Sequence, residues 1–94
     1  MGILDYRRVS DFFNVFSHPT RIEMIKELLE GKKCVSDIRD LLEVNQPNVS
    51  QHLSSLRSND IVDWCQDGKR KCYFLKNPQL IKDIFDILKK HKLL

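Results

Sequence analysis

Gln46, Asn48, Ser50, Gln51 and Ser54 place amides and short hydroxyls within nine residues, without one carboxylate among them. Groups of this kind donate to and accept from base edges and phosphate oxygens, and a Gln amide can pair bidentately with adenine. A solvated helix face on a chain with 31% charged residues would ordinarily mix Glu with Lys. A second cluster is cationic. Lys69 and Arg70 directly follow Asp67-Gly68, which suits phosphate contact from the tip of a turn. The third chemistry is sulfur. Cys34 stands just before a helix start and after Lys32 and Lys33, where the helix dipole and positive charge lower a thiol pKa. An inert, half-buried small side chain would suit the same place. Cys65 and Cys72 flank the turn, and a loop of two or four residues puts them on one sheet face, diagonal or directly opposite. They then form a redox pair, whereas a three-residue loop breaks the relation and leaves two cysteines of a small hydrophobic layer.

Each cluster needs an element to hold it. Asn45 is a good N-cap and Pro47 sits where a missing N–H costs nothing, so a helix starts at Asn45 and runs to about Asp60. Val49, Leu53 and Leu56 make its apolar stripe, which turns Gln51, Ser54, Ser55 and Ser58 outward. A surface helix rich in Ser and Gln would look the same in isolation, so its neighbours decide. Val35 to Leu42 reads as a short helix with Val35, Ile38, Leu41 and Leu42 inward, and only Glu43-Val44 precedes Asn45. That tight link is the helix-turn-helix pattern. Ile61 to Cys65 and Lys71 to Leu75 are β-rich runs around Asp67-Gly68, a strong hairpin signal.

Upstream, Leu4 to Phe16 is helical in spacing, with Tyr6, Val9, Phe13 and Phe16 along one side. Pro19 opens a second helix that reaches about Glu30 and ends at Gly31, with Ile22, Ile25, Leu28 and Leu29 as its core face and His18 as its cap. Asn77-Pro78 caps a last helix to about His91, where Ile81, Ile84, Phe85 and Leu88 share a face and Leu80 and Ile87 lie beside it. His52 reads as a half-buried packing residue, and His91 as part of a solvated basic tail. The two end helices carry more apolar surface than so small a domain can hide, so some of Tyr6, Val9, Phe13, Phe16, Ile81, Ile84, Phe85 and Leu88 are expected at a two-fold interface.

The order of elements is that of an α+β, mostly α, winged helix-turn-helix with a two-stranded β-hairpin wing, spanning 1–94 as one domain. Net charge is only +3, so nucleic-acid binding rests on where the charges stand rather than on their sum. No apolar run approaches a membrane span and the N-terminus lacks a signal-peptide pattern, which points to the cytoplasm. Three cysteines argue against a secreted disulfide framework and for reduced thiols. No phosphate-cradling Gly loop, metalloprotease motif or nucleophile elbow marks an enzyme, and no cofactor is expected.

These residues resemble the ArsR-type transcriptional repressors. Phe16-Ser-His-Pro-Thr-Arg-Ile22 is similar to that family's second-helix start, Asn45 to Arg57 to its recognition helix, and Ile61-Val62 with Gly68 to Tyr73 to its wing, a likeness running from about residue 5 to 90. The resemblance implies a homodimer, paired through first and last helices, that binds palindromic double-stranded DNA and leaves it when an effector arrives. Many members carry Cys-Val-Cys-Asp at the third helix, where this chain has Cys34-Val35-Ser36-Asp37. The family's last-helix metal pairs are also replaced by Asp83, Asp86 and His91 at unlike spacing. A lone thiolate does not complete a soft-metal site, so no metal site is expected. A response through Cys34, Cys65 and Cys72, where there is one, is then redox or electrophile chemistry; the competing expectation is three inert cysteines, with regulation by a ligand or by protein abundance. The alternatives are a metal- or metalloid-responsive repressor that uses Cys34, and a winged helix that binds protein in place of DNA.

Overall fold

The computed structural model describes residues 5–94, so Leu4, read above as the start of the first helix, lies outside the described residues. Asp5 caps α1 (Tyr6–Asn14), its Oδ1 accepting the Arg8 N–H at 3.0 Å, and a 3-10 turn at Val15–Ser17 leads to α2 (Pro19–Leu29). His18 occupies the cap position of α2, yet its side chain makes no capping bond. Then follow β1 (Lys33–Cys34), α3 (Val35–Leu42), α4 (Gln46–Ser58), β2 (Val62–Asp67), β3 (Arg70–Leu75) and α5 (Pro78–Lys90). Asn45 and Asn77 cap α4 and α5 as their sequence implies, accepting from the N–H groups of Asn48 at 3.0 Å and Leu80 at 3.2 Å.

Two chain reversals fix the reading unit. Glu43 closes the link from α3 to α4 in the left-handed region, φ 55°, a conformation that makes the turn short at some backbone cost. At the wing, Asp67 faces Arg70, so the loop is the pair Gly68-Lys69, with Gly68 at φ 63° supplying the turn. The two-residue loop sets Cys65 directly opposite Cys72.

The wing has a third strand that its own pattern does not announce. β1 pairs antiparallel with β3, giving the order β1-β3-β2, with Lys33 opposite Tyr73 and Cys34 opposite Cys72. The core lies between the helices and the sheet face bearing Val62, Tyr73 and Leu75, filled by Met24, Ile25, Leu28, Ile38, Val49, Leu53, Leu56, Ile81 and Phe85.

Several inward assignments change. Met24 is fully buried where Ile22 and Leu29 are only half-buried, and Leu41 is 55% exposed because α3 presents just a narrow face, centred on Ile38, to α2 and α4. On α5, Ile81 and Phe85 pack into this chain's own core, against α2, and are unavailable to a partner. The outer half of that wide apolar arc is Leu80, Ile84 and Ile87, with Ile84 half-buried and the other two exposed. Phe16 and Leu88 also pack on the core as half-buried residues, whereas Tyr6, Val9 and Phe13 stand out from α1 at 76%, 53% and 61% exposure. Among the described residues no helix is long and apolar enough to cross a membrane.

Candidate nucleic-acid interface

Val49, Leu53 and Leu56 have no solvent exposure, and this pins the rotation of α4. Gln46, Asn48, Ser50, Gln51 and Ser54 are all exposed on its outer side. Their readiness differs. Arg39 of α3 donates to the Gln46 carbonyl oxygen at 2.9 Å, which fixes that amide, while the side chains of Asn48, Ser50, Gln51 and Ser54 make no hydrogen bond among the described residues. A free amide at Gln51 keeps both its donor and its acceptor for an incoming base edge.

Arg70 departs from the sequence reading. Its guanidinium folds back onto the first turn of α3, donating to Asp37 at 2.8 Å and lying 3.4 Å from the Ser36 hydroxyl. Strand alternation is the cause, since Arg70 shares the sheet face of Cys72, next to β1 and α3. Lys69 is left at the tip without an acidic partner among the described residues.

Cations that the sequence did not assign to a nucleic-acid contact stand on the other face. Arg57, Lys71 and Lys76, with Ser54, line a groove of about 410 Å³ between the end of α4 and the wing. Lys71 Nζ lies 4.6 Å from the centre of the Trp64 ring, Arg57 pairs with Asp63 at 3.3 Å and Lys76 with Asp60 at 3.3 Å. The Trp64 N–H donated to Asp63, and then the nearby Arg57, hold the Asp63 carboxyl below the usual range. The groove is mixed in sign, with long cationic side chains at its rim. The signal was present in strand parity, which separates Lys71 from Arg70, and in the spacing of Arg57 three residues beyond Ser54.

Behind α4, Arg21 Nε donates to His52 Nδ1 at 3.1 Å and the His18 ring lies tilted against it, 5.7 Å between ring centres. Burial first, then the charges of Arg21 and His18, push the His52 pKa down, so the folded protein keeps this imidazole neutral. The unfolded chain takes up the proton first, near pH 6.5. The stability gained is present above that value and is lost as pH falls through the lower folded pKa. Denaturation midpoints are expected to drop as the pH falls below about 6.5, and His52→Gln to flatten that drop. An unchanged profile in the variant would remove His52 as its source.

The sulfur chemistry is rearranged most. Cys34 and Cys72 form a disulfide across β1 and β3, while Cys65 is free and half-buried. The expectation of reduced thiols and of a Cys65–Cys72 pair gives way to this bond because β1, unseen in the sequence, carries Cys34 up to β3. Cys34 is also the N-cap of α3 in a reciprocal capping box, with its N–H donated to Asp37 at 3.0 Å. That bond and then Arg70 hold the Asp37 carboxyl below its usual range. The ligand atoms of Cys34, Cys72 and Asp67 lie within 4.8 Å of one another, but the disulfide withholds both thiolates and Lys32 pairs with Asp67 at 3.5 Å.

Residues 18–63 match the model of the family described as bacterial regulatory protein, arsR family. The cadmium resistance transcriptional regulatory protein CadC of Listeria innocua is 35% identical over 82% of this chain, which spans 66% of CadC's length. The arsenical resistance operon repressor of Staphylococcus xylosus is 30% identical over 79% of this chain and 71% of its own length. The crystal structure of the transcriptional repressor BigR from Xylella fastidiosa superposes with a TM-score of 0.74 at 30% identity, covering 86% of each chain.

Proposed function

We propose, because this chain belongs to the arsR family of bacterial regulatory proteins, that it is a cytoplasmic homodimeric repressor that binds a palindromic operator and answers to thiol oxidation. The observation that carries this reading is the acid-free outer face of α4, with the side chains of Asn48, Ser50, Gln51 and Ser54 unbonded among the described residues, beside a cation-rimmed groove. Two such helices related by a two-fold axis roughly 34 Å apart meet successive major grooves. The aromatic side of α1 and the outer edge of α5 supply the pairing surface. This is a binding protein rather than an enzyme, and its response lies in a change of DNA affinity.

The Cys34–Cys72 bond ties the wing to the start of α3, so its oxidation state acts on how the wing is held against the reading unit. A metal-responsive repressor is the second reading, favoured by the clustering of Cys34, Cys72 and Asp67. Those residues do not fit a metal while the disulfide stands, and no step is derived through one.

The test is binding to an operator duplex over a range of salt, with bulk DNA in parallel. Lys69→Ala and Lys71→Ala are each expected to reduce the log–log salt slope by roughly 0.9 for a lost phosphate contact. Arg70→Ala is expected to leave the slope unchanged, since its guanidinium is held by Asp37. A protein that shifts no duplex at low salt, oxidised or reduced, would overturn the reading.

A further inference from the structure

The geometry points to Cys65 as the thiol that accepts oxidising equivalents from solvent and passes them through Cys72 to Cys34. The three cysteines occupy one row across the sheet: Cys34 opposite Cys72 on one side, Cys65 opposite Cys72 on the other, in the strand order β1-β3-β2. Residues facing each other across antiparallel strands share a sheet face, so the sulfurs lie on the same side with Cys72 in the middle. The outer two sit two strand spacings apart, about 10 Å, beyond the Cα separation of about 7 Å that a disulfide spans. Any disulfide in this row must therefore include Cys72.

Thiol–disulfide exchange requires the attacking and leaving sulfurs on opposite sides of the central one, and strand pairing sets out that line. Access is graded along it. In this disulfide-bonded structure Cys72 is fully buried and Cys34 is 5% exposed, whereas Cys65 is half-buried and reachable. The disulfide nevertheless joins the two buried cysteines and leaves the accessible one free. A relay explains that distribution.

With a hydroperoxide as oxidant, the Cys65 thiolate attacks the terminal oxygen. The O–O bond breaks, an S–O bond forms, and the alcohol or water leaves with a proton, giving a sulfenic acid. The Cys72 thiolate next attacks the Cys65 sulfur and expels hydroxide, which leaves as water, to form Cys65–Cys72. The Cys34 thiolate then attacks Cys72 from the far side, and the electron pair of the broken S–S bond returns to Cys65 as its thiolate. Two thiols lose two electrons in all and the peroxide gains them. The accessible sulfur is restored to its starting state, and the oxidation ends in the buried bond between β1 and β3.

The relay deepens the thiol-responsive reading above, and its readout is covalent, so it stands or falls apart from DNA binding. Reduced full-length protein is mixed with hydrogen peroxide, quenched at intervals with an alkylating agent, and its disulfides mapped by peptide mass. The wild type is expected to pass through a transient Cys65–Cys72 species to Cys34–Cys72. Cys34→Ser is expected to stop at Cys65–Cys72, and Cys65→Ser to form Cys34–Cys72 at least roughly tenfold more slowly. Cys65→Ala and circular dichroism of each variant guard against a folding defect. Oxidation of Cys65→Ser and Cys65→Ala at the wild-type rate would overturn the relay, as would a Cys34→Ser protein that never forms Cys65–Cys72. If the relay runs but neither redox form binds operator, the regulator reading fails and the relay stands.

Discussion

Tyr6→Glu combined with Phe13→Glu is expected to give a folded monomer that no longer holds its operator. Both side chains project from α1 into solvent, with Val9 on the same side, and none of the three fills the core of its own chain. Circular dichroism of the double variant is therefore expected to match the wild type. In a two-fold pair each substitution enters twice, placing four carboxylates in an apolar contact that offers them no partner, and burial of unpaired charge is prohibitive. Losing one half-site also loses the effective concentration that links the two reading helices, a factor of about 10² to 10⁴ in affinity. Sedimentation and operator titration read the two effects separately. A variant that still sediments as a dimer would move the interface off α1, to the Leu80 and Ile87 side of α5 or elsewhere.

Gln51→Ala is the second large effect. Its amide is exposed and free, on a helix whose rotation is set by Val49, Leu53 and Leu56, and a bidentate amide–adenine contact is worth about 1–3 kcal/mol. Operator affinity is then expected to fall roughly 5- to 150-fold, with bulk DNA binding almost unchanged. Gln46→Ala makes the useful comparison, because Arg39 already holds that carbonyl and part of its capacity is spent within the protein. Equal losses on operator and bulk DNA would take Gln51 out of the residues that read sequence.

The reading helix was legible because everything that defines it is local. Asn45 caps it, Pro47 sits in its first turn, and one apolar stripe turns the remaining residues outward by elimination. The wing turn was legible in part, since Asp67-Gly68 announces a tight reversal without help from distant residues, while the loop itself is Gly68-Lys69 with Asp67 the last residue of β2. What stayed hidden depended on partners far along the chain. β1 is two residues long, too short for alternation to show, and it exists through its pairing with β3. Cys34 could not be joined to Cys72 from sequence until that strand was known. Arg70 looked like a free cation because Asp37 lies 33 residues away from it. On α5 the whole arc is apolar, and sequence alone does not tell which half, Ile81 with Phe85 or Leu80 with Ile87, faces home.

The disulfide has one more consequence, a topological one. It spans 38 positions, so α3, α4 and β2 lie inside a closed covalent ring while α1, α2 and α5 hang outside it. In the chain-entropy account, closing a loop of that length removes roughly 4 kcal/mol of freedom from the unfolded state, and the gain falls on the ringed segment. The oxidised protein is thus divided into a cross-linked reader and uncross-linked arms. Hydrogen exchange would follow that division, with amides of the ring opening last and those of α1 fraying on their own. Separation of the two protomers can then begin at α1, whose Tyr6, Val9 and Phe13 lie outside the core, while each reader stays intact.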